Sequence, residues 1–272
     1  MKRIPVGILV LFAMCALTAD WISPFDPLSS FEGRYRLPPW PIDGSMNEHW
    51  LGTDEVGRDV LSRLIHGSRL SIASGLAVAL LAGAIGVILG SAAGWLRGYW
   101  ESAILRTMDV LLALPSILLA IVVVSILGPN LANAVIASAV TALPGMTRIV
   151  WSAVTAESLK PYVLSGELYG ASKWRIVAWD VLPNCLSPIL VQLTFVFGEG
   201  ILNVAALGFL GLGAQPPSPE WGTMLADARP FVESDPWLVT TPGLCILLVL
   251  VSFNVFGDQL RDRLDPRLRG RT

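Results

Sequence analysis

Few residues in this 272-residue chain have the types and spacing that covalent chemistry needs. The only lysines are Lys2, Lys160 and Lys173, and none follows a glycine, so the Gly-x-x-x-x-Gly-Lys-Ser/Thr phosphate loop is missing. If ATP powers this protein, hydrolysis occurs on another chain, and this chain is expected to be no enzyme and to bind no cofactor itself. His49 and His66 have no cysteine or clustered carboxylate set beside them to complete a metal shell, and no metal site is expected. Cys15, Cys185 and Cys245 all fall in apolar stretches, where cysteine reads as a small buried hydrophobe. The Asp54, Glu55, Arg58 and Asp59 cluster could be mistaken for acid/base chemistry. Its spacing suits the ordering of a membrane-surface helix, with Asp54 as cap and Arg58 as ion-pair partner. Glu199 is the one acidic residue deep in an apolar run. It could reach toward the interface, pair with a polar group of a neighbouring helix or line a wet cavity, but one carboxylate makes no proton relay.

The elements that must position these residues are membrane spans. The chain is 53% hydrophobic and 15% charged, with a mean hydropathy of +0.62, against the roughly 25% charge of soluble domains. The net charge of -2 gives no reason to expect a nucleic-acid partner. Apolar runs at Ile4–Ile22, Ile72–Trp95, Val110–Leu127, Leu131–Val154, Leu186–Leu207 and Leu238–Phe256 predict an all-α integral membrane protein of six transmembrane helices. Leu17 spoils a cleavage site after the first run, so a retained anchor is expected rather than a signal peptide. Gly86, Gly90 and Gly94 recur every fourth residue and share one helix face, which suits close helix packing more than a pore lining. Pro115 and Pro144 should kink their spans.

Basic residues set the expected orientation. With the N-terminus inside, 13 of the 19 fall on the cytoplasmic side: Lys2, Arg3, Arg97, Arg106, Arg148, Lys160, Lys173, Arg175, Arg261, Arg263, Arg267, Arg269 and Arg271. The other six, Arg34, Arg36, Arg58, Arg63, Arg69 and Arg229, fall outside. Both termini are therefore expected in the cytoplasm.

Residues 155–185 form the polar inner loop. Pro161 fits the first turn of a short helix, Gly170 a stop with positive φ, and Ser172 the cap of a second helix over Lys173–Trp179, with Pro183 opening the next span. Tyr162, Leu168, Trp174, Ile176 and Trp179 are more apolar than a solvated loop needs, and suit insertion into a partner's groove. Outside, residues 23–69 are long and rich in proline. Residues 208–237 join an apolar, flexible Gly208–Gly213 to a stiff Gln215–Trp221, and Trp221 and Trp237 could instead anchor a hairpin at the lipid interface.

These motifs resemble the permeases of ATP-binding-cassette (ABC) importers, in the dipeptide, oligopeptide and nickel family. The loop carries Tyr162, Val163, Gly170, Ala171, Ser172, Leu182, Pro183 and Asn184 at the family's coupling-loop spacing. Leu164, Ser165 and Gly166 stand at the positions of that loop's Glu-Ala-Ala motif, a departure that the peptide branch tolerates. Gly52-Thr53-Asp54, Gly57-Arg58-Asp59, Ser62-Arg63, Ala206 to Gly213 and Pro219-Glu220-Trp221-Gly222 match the outer signatures, as does the tail with Asp258, Arg261, Asp262, Asp265 and Pro266.

The resemblance covers nearly the whole chain and implies a type I importer permease fold and a C-type subunit. Residues 1–70 would form the first helix and outer segment, 71–257 the transmembrane domain and 258–272 a cytoplasmic tail. It further implies a second homologous permease subunit, two cytoplasmic ATPase subunits carrying ATP and Mg, and an extracytoplasmic binding protein reached from the side of Asp54, Gly57, Arg58, Asp59, Glu220 and Trp221. The implied location is the bacterial inner membrane. Short peptides lead as cargo, ahead of nickel chelates and polyamines, and the antimicrobial-peptide and putrescine-linked branch is also close. A membrane-embedded hydrolase would need a nucleophile with its base or paired aspartates inside the spans, and a secondary carrier usually shows repeats and coupling-ion residues. Neither pattern is evident.

Overall fold

A computed structural model describes residues 4–264. Lys2 and Arg3 lie outside the described residues, as do Asp265, Pro266, Arg267, Arg269 and Arg271 of the tail. Among the described residues the chain is helical, with isolated β-bridges at Ser30–Arg58 and Thr53–Asp59. We label the helices α1 (Ile4–Leu17), α2 (Val60–Leu96), α3 (Gly98–Leu112), α4 (Ser116–Leu127), α5 (Leu131–Ser158), α6 (Pro161–Leu168), α7 (Lys173–Phe209), α8 (Trp221–Ala228) and α9 (Trp237–Leu264).

Four of these, α2, α5, α7 and α9, are long and apolar enough to cross a bilayer. The α3–α4 pair makes a fifth span if counted as one, and α1 is a shorter apolar helix. The span expected at Val110–Leu127 is broken: α3 and α4 meet at 94°. Proline disfavours the helical region for the residue before it, so Pro115 ends α3 near Ala113, and Val110 belongs to the helix before the break. Pro144, by contrast, sits inside a continuous α5.

Two spans outrun their apolar cores. At 37 residues, α2 is about 55 Å long, well beyond a ~30 Å hydrocarbon layer. Its first three turns carry Ser62, Arg63, His66 and Arg69, and they extend toward the outer segments. Helix α2 thus passes unbroken through residue 70, and α9 through residue 257.

The core forms where α2 lies against α5 and α7. A Cβ at Gly86 would stand 2.5 Å from Met146 Cγ, and one at Gly90 2.6 Å from both the Thr147 carbonyl oxygen and Val150 Cβ. One at Gly94 would stand 2.9 Å from Val154 Cγ1. The glycine stripe is therefore a packing face, as its spacing predicts. On the α7 side, Gly83 faces Leu193 and Gly200 faces Val78. Phe197 of α7 stacks on Phe253 of α9 with ring centroids 3.8 Å apart.

Residue 90 gives a direct test of this contact. Gly90→Leu forces a side chain against α5 backbone, and overpacking of this kind costs about 1–3 kcal/mol. Its thermal unfolding in detergent is expected several degrees below wild type, whereas Gly7→Ala, with nothing within 4 Å of the added carbon, should match wild type.

Candidate functional site

Between α5 and the span part of α7, α6 and the start of α7 form a compact knob. Pro161 opens α6, and Gly170 turns the chain with φ +78°. Residues after Gly170 depart from the expected second helix. The α-helical part of that helix ends at Arg175, and Ile176–Val181 is a π-helical stretch followed by a 3-10 turn at Leu182–Cys185. The chain then runs on into the span, so Lys173–Phe209 is one long helix with no stop at Trp179. Ser172 stands at the start of this helix, but its side chain makes no capping hydrogen bond.

The knob's apolar residues divide between two roles. Ile176 is fully buried and packs with Val163, Val181 and Cys185 against Met146, Val150 and Val154 of α5. Leu168, Tyr169, Trp174 and Trp179 are 88, 92, 82 and 78% exposed. An open hollow of about 1190 Å³ lies beside them, lined by Gly166, Gly170, Ala171 and Trp179 among others. Leu164, Ser165 and Pro183 are exposed on the knob's surface, while Leu182 is half-buried.

A polar clamp holds the knob to α5. Glu157 accepts hydrogen bonds from Lys160 Nζ at 2.9 Å and from the Tyr162 hydroxyl at 2.6 Å. Asn184 donates to the Tyr162 hydroxyl at 3.2 Å and to the Asp180 carbonyl at 2.7 Å. The Tyr162 hydroxyl is pushed up to about 12 by desolvation and by the carboxylate it donates to, so it remains a donor across physiological pH. Glu157 was not singled out from sequence. Its spacing to Lys160 was the available signal, though an i,i+3 pair is common on any helix.

At the opposite end of the bundle, Asp54, Gly57, Arg58 and Asp59 are buried, with Glu55 half-buried. Asp59, rather than Asp54, caps α2: its carboxylate accepts from Ser62 N at 2.8 Å and Ser62 Oγ at 2.7 Å. The other Asp59 oxygen holds His49 Nδ1 at 2.9 Å, with the imidazole enclosed by Phe25 and Phe31. Asp54 closes the turn around Gly57 by accepting from Arg58 N at 2.8 Å, and it pairs with Arg58 Nε at 2.6 Å as expected. Arg63 Nε lies 3.5 Å from the same carboxylate, and Arg58 and Arg63 each reach Asp227 of α8 at 3.8 Å. The network ties residues 54–58 to both α2 and α8.

Glu220 and Trp221 are also enclosed. Glu220 caps α8 through Thr223 N at 3.0 Å and accepts from Ser71 Oγ at 3.2 Å, and its deep burial pushes the carboxyl up from the ordinary range. Trp221 donates from Nε1 to the Leu64 carbonyl at 3.1 Å and is fully buried, so it is no lipid-interface anchor. Residues 208–213 form a packed turn rather than a loose linker, with Leu212 N donating to the Leu207 carbonyl at 2.8 Å and Gly213 packed on Gly208. Asp54, Gly57, Arg58, Asp59, Glu220 and Trp221 thus converge on one scaffold and form no open face. Arg63, already part of the outer Ser62-Arg63 signature, completes it with Asp227, which sequence does not single out because its partners Arg58 and Arg63 lie more than 150 residues away.

The scaffold carries a pH signature. Burial, with Asp227 and Asp54 beside it, raises Glu55 to about 7, and burial also raises Asp227. A raised carboxyl binds its proton more tightly in the folded state. Its stabilising effect is therefore full below the unfolded value near 4.5 and is lost as pH rises through about 7. Wild-type Tm in detergent is expected to fall from pH 6 to pH 8, and Glu55→Gln should show a smaller fall. Equal falls in the two proteins would remove Glu55 from this role.

Comparison with known proteins places the whole arrangement. Residues 86–270 match the family described as binding-protein-dependent transport system inner membrane component. The di/tripeptide transport system permease protein DppC of Pseudomonas aeruginosa (strain UCBPP-PA14) is 48% identical over 261 residues, covering 96% of this chain and 86% of that protein. The dipeptide transport system permease protein DppC of Escherichia coli (strain K12) is 49% identical over 263 residues, covering 96% and 87%. Among solved structures, an inward-facing conformation of the MetNI methionine ABC transporter aligns with a TM-score of 0.62 at 17% identity, over 75% of this chain and 96% of that one, a likeness of fold. With the type I importer fold and a match over most of its length, this chain belongs to the family of inner membrane components of binding-protein-dependent transport systems.

Proposed function

We propose that this chain is one of two homologous permease subunits of an ATP-driven importer for short peptides. Two ATPase subunits bind at the inner end and carry ATP and Mg, and an extracytoplasmic binding protein delivers cargo at the outer end. The observation that carries this reading is the clamped knob. Four large apolar side chains stand almost fully exposed on an element that is rigidly held to α5 and continuous with α7. Exposed aromatic clusters of this kind suit a groove on a partner protein, and a stiff connection passes a partner's movement to the spans. The peptide cargo is supported by the high identity to dipeptide permeases over 96% of the chain.

At the outer end, the buried scaffold would set the shape of the surface that meets the binding protein. The side chains available for contact there include Tyr35, Trp40, Ile42 and Trp50, all more than half exposed. The knob end, shared with the inner end of α9, would face the cytoplasm, following the 13-to-6 division of basic residues.

Two experiments test this reading. An added Cβ at Gly170 meets nothing within 4 Å, so the obstacle to substitution is conformational only. A β-branched residue at φ +78° is strained, while Asn tolerates this region. Gly170→Val is expected to lower peptide uptake by about tenfold or more at unchanged protein level, and Gly170→Asn to retain most of it. Normal uptake by the Val variant would end the coupling assignment. Reporter fusions at residue 45 and at Thr272 should report opposite sides of the membrane, and a shared side would reverse the orientation.

A further inference from the structure

Glu199 has no structural partner. Among the described residues its carboxylate makes no hydrogen bond or ion pair, and its side chain is exposed. In the span segment Leu186–Phe209 it lies about 20 Å from the start and about 15 Å from the end, near the middle of a ~30 Å hydrocarbon layer. A carboxylate at that depth does not face lipid without a compensating partner.

The same face of α7 is polar along its length. Gln192, Glu199 and Asn203 are spaced by seven and four residues, so they fall in one stripe. All three are at least partly exposed, with Phe195 and Leu202 between them, while Val196, Phe197, Gly200 and Ile201 on the other faces are buried. Toward the inner end the stripe runs into an open cleft of about 1420 Å³. Gln192 and Phe195 line it, with Asn184, Ile149 of α5 and Arg261 of α9. Gly145 of α5 leaves room beside Gln192, since a Cβ there would stop 3.6 Å from Nε2. The carboxylate is thus one turn outward from a wide space, on a face whose other polar groups are neutral donors and acceptors.

We propose that Glu199 lines the translocation path and supplies the counter-charge for the ammonium group of a passing peptide, with Gln192 and Asn203 hydrogen-bonding its amide groups in turn. The inference rests on the peptide-importer reading above. Neutral Gln and Asn on either side suit a moving ligand, which must bind well enough to enter and weakly enough to leave. A sealed ion pair with the second permease subunit would need a basic residue held against Glu199, and the stripe would then close against protein instead of continuing into the cleft.

The test uses the complete transporter with its binding protein in proteoliposomes and the dipeptide Ala-Ala as probe. Glu199→Gln is expected to lower uptake at least about tenfold while the second permease subunit and the ATPases still co-purify, and Glu199→Asp should recover most of the loss. In a chain with Cys15, Cys185 and Cys245 replaced by alanine, Glu199→Cys is expected to react with a membrane-impermeant hydrophilic thiol reagent. Wild-type uptake by Glu199→Gln overturns the proposal. Loss of the second subunit from that variant also overturns it and assigns the carboxylate to the subunit interface, and an unreactive thiol shows that no water reaches this face. If the wild-type complex fails to accumulate Ala-Ala, the peptide reading falls by itself, and the thiol measurement still decides whether Glu199 faces an aqueous path.

Discussion

The close approach of α2 to α5 and α7 is the constraint on which the other features depend. Lipid offers apolar side chains no less than a neighbouring helix does, so association relies on close packing and on polar groups satisfied within the protein. The glycines of α2 meet the first condition. At Gly90 the neighbour is the carbonyl oxygen of Thr147 itself, so the two backbones come within reach of each other and no larger residue fits between them. Because α5 and α7 both pack on α2, the clamp at the knob's neck, which joins the end of α5 to the start of α7, is held from both sides.

A different rule governs the outer end. The first turns of α2 leave the hydrocarbon layer and bring Arg63 and Ser62 with them, and buried charges require partners. Asp54, Asp59 and Asp227 supply these, drawn from the preceding loop and from α8. Segments more than 150 residues apart in sequence are thereby joined around one helix end, as the bond from Arg63 to the Pro217 carbonyl also illustrates. The cost is a Glu55 carboxyl raised to about 7, so this junction is sensitive to protons near neutral pH.

Local signals were readable in the sequence, and distant pairings were not. The small-residue stripe of α2, the Pro161 start and the Gly170 turn each depend on residues within a few positions, and the structure has them where spacing puts them. From its spacing, Asp54 is expected to cap a short membrane-surface helix. Asp59 is the cap instead because the chain turns at Gly57 and starts its helix only at Val60, and hydropathy does not encode that turn. Pro115 and Pro144 look alike in sequence, yet one breaks a span and the other is carried within a helix. The difference lies in the packing of α5 between α2 and α7, which leaves Pro144 buried, whereas Pro115 is exposed. The burial of Glu220 and Trp221 was equally out of reach, since their partners Ser71 and Leu64 sit in another span.

One helix links the separate regions. From Lys173 to Phe209, α7 begins inside the knob, passes Glu199 at mid-depth and ends with Gly208 pressed against the Glu220 carboxylate that caps α8. Its irregular stretch, the π turn at Ile176–Val181 and the 3-10 turn after it, is confined to the neck. Irregular turns are where helices bend, and here the irregular stretch is bridged by the Tyr162 and Asn184 hydrogen bonds, which keep the knob aligned with the span. Beyond Leu186 the helix is regular for 24 residues. A displacement applied to the knob therefore has a direct mechanical route along α7, past the polar stripe, to the outer scaffold. Along that route α7 keeps close contact with α2, where a Cβ at Gly200 would stand 2.8 Å from Val78 Cβ and one at Gly83 2.6 Å from Leu193 Cδ2.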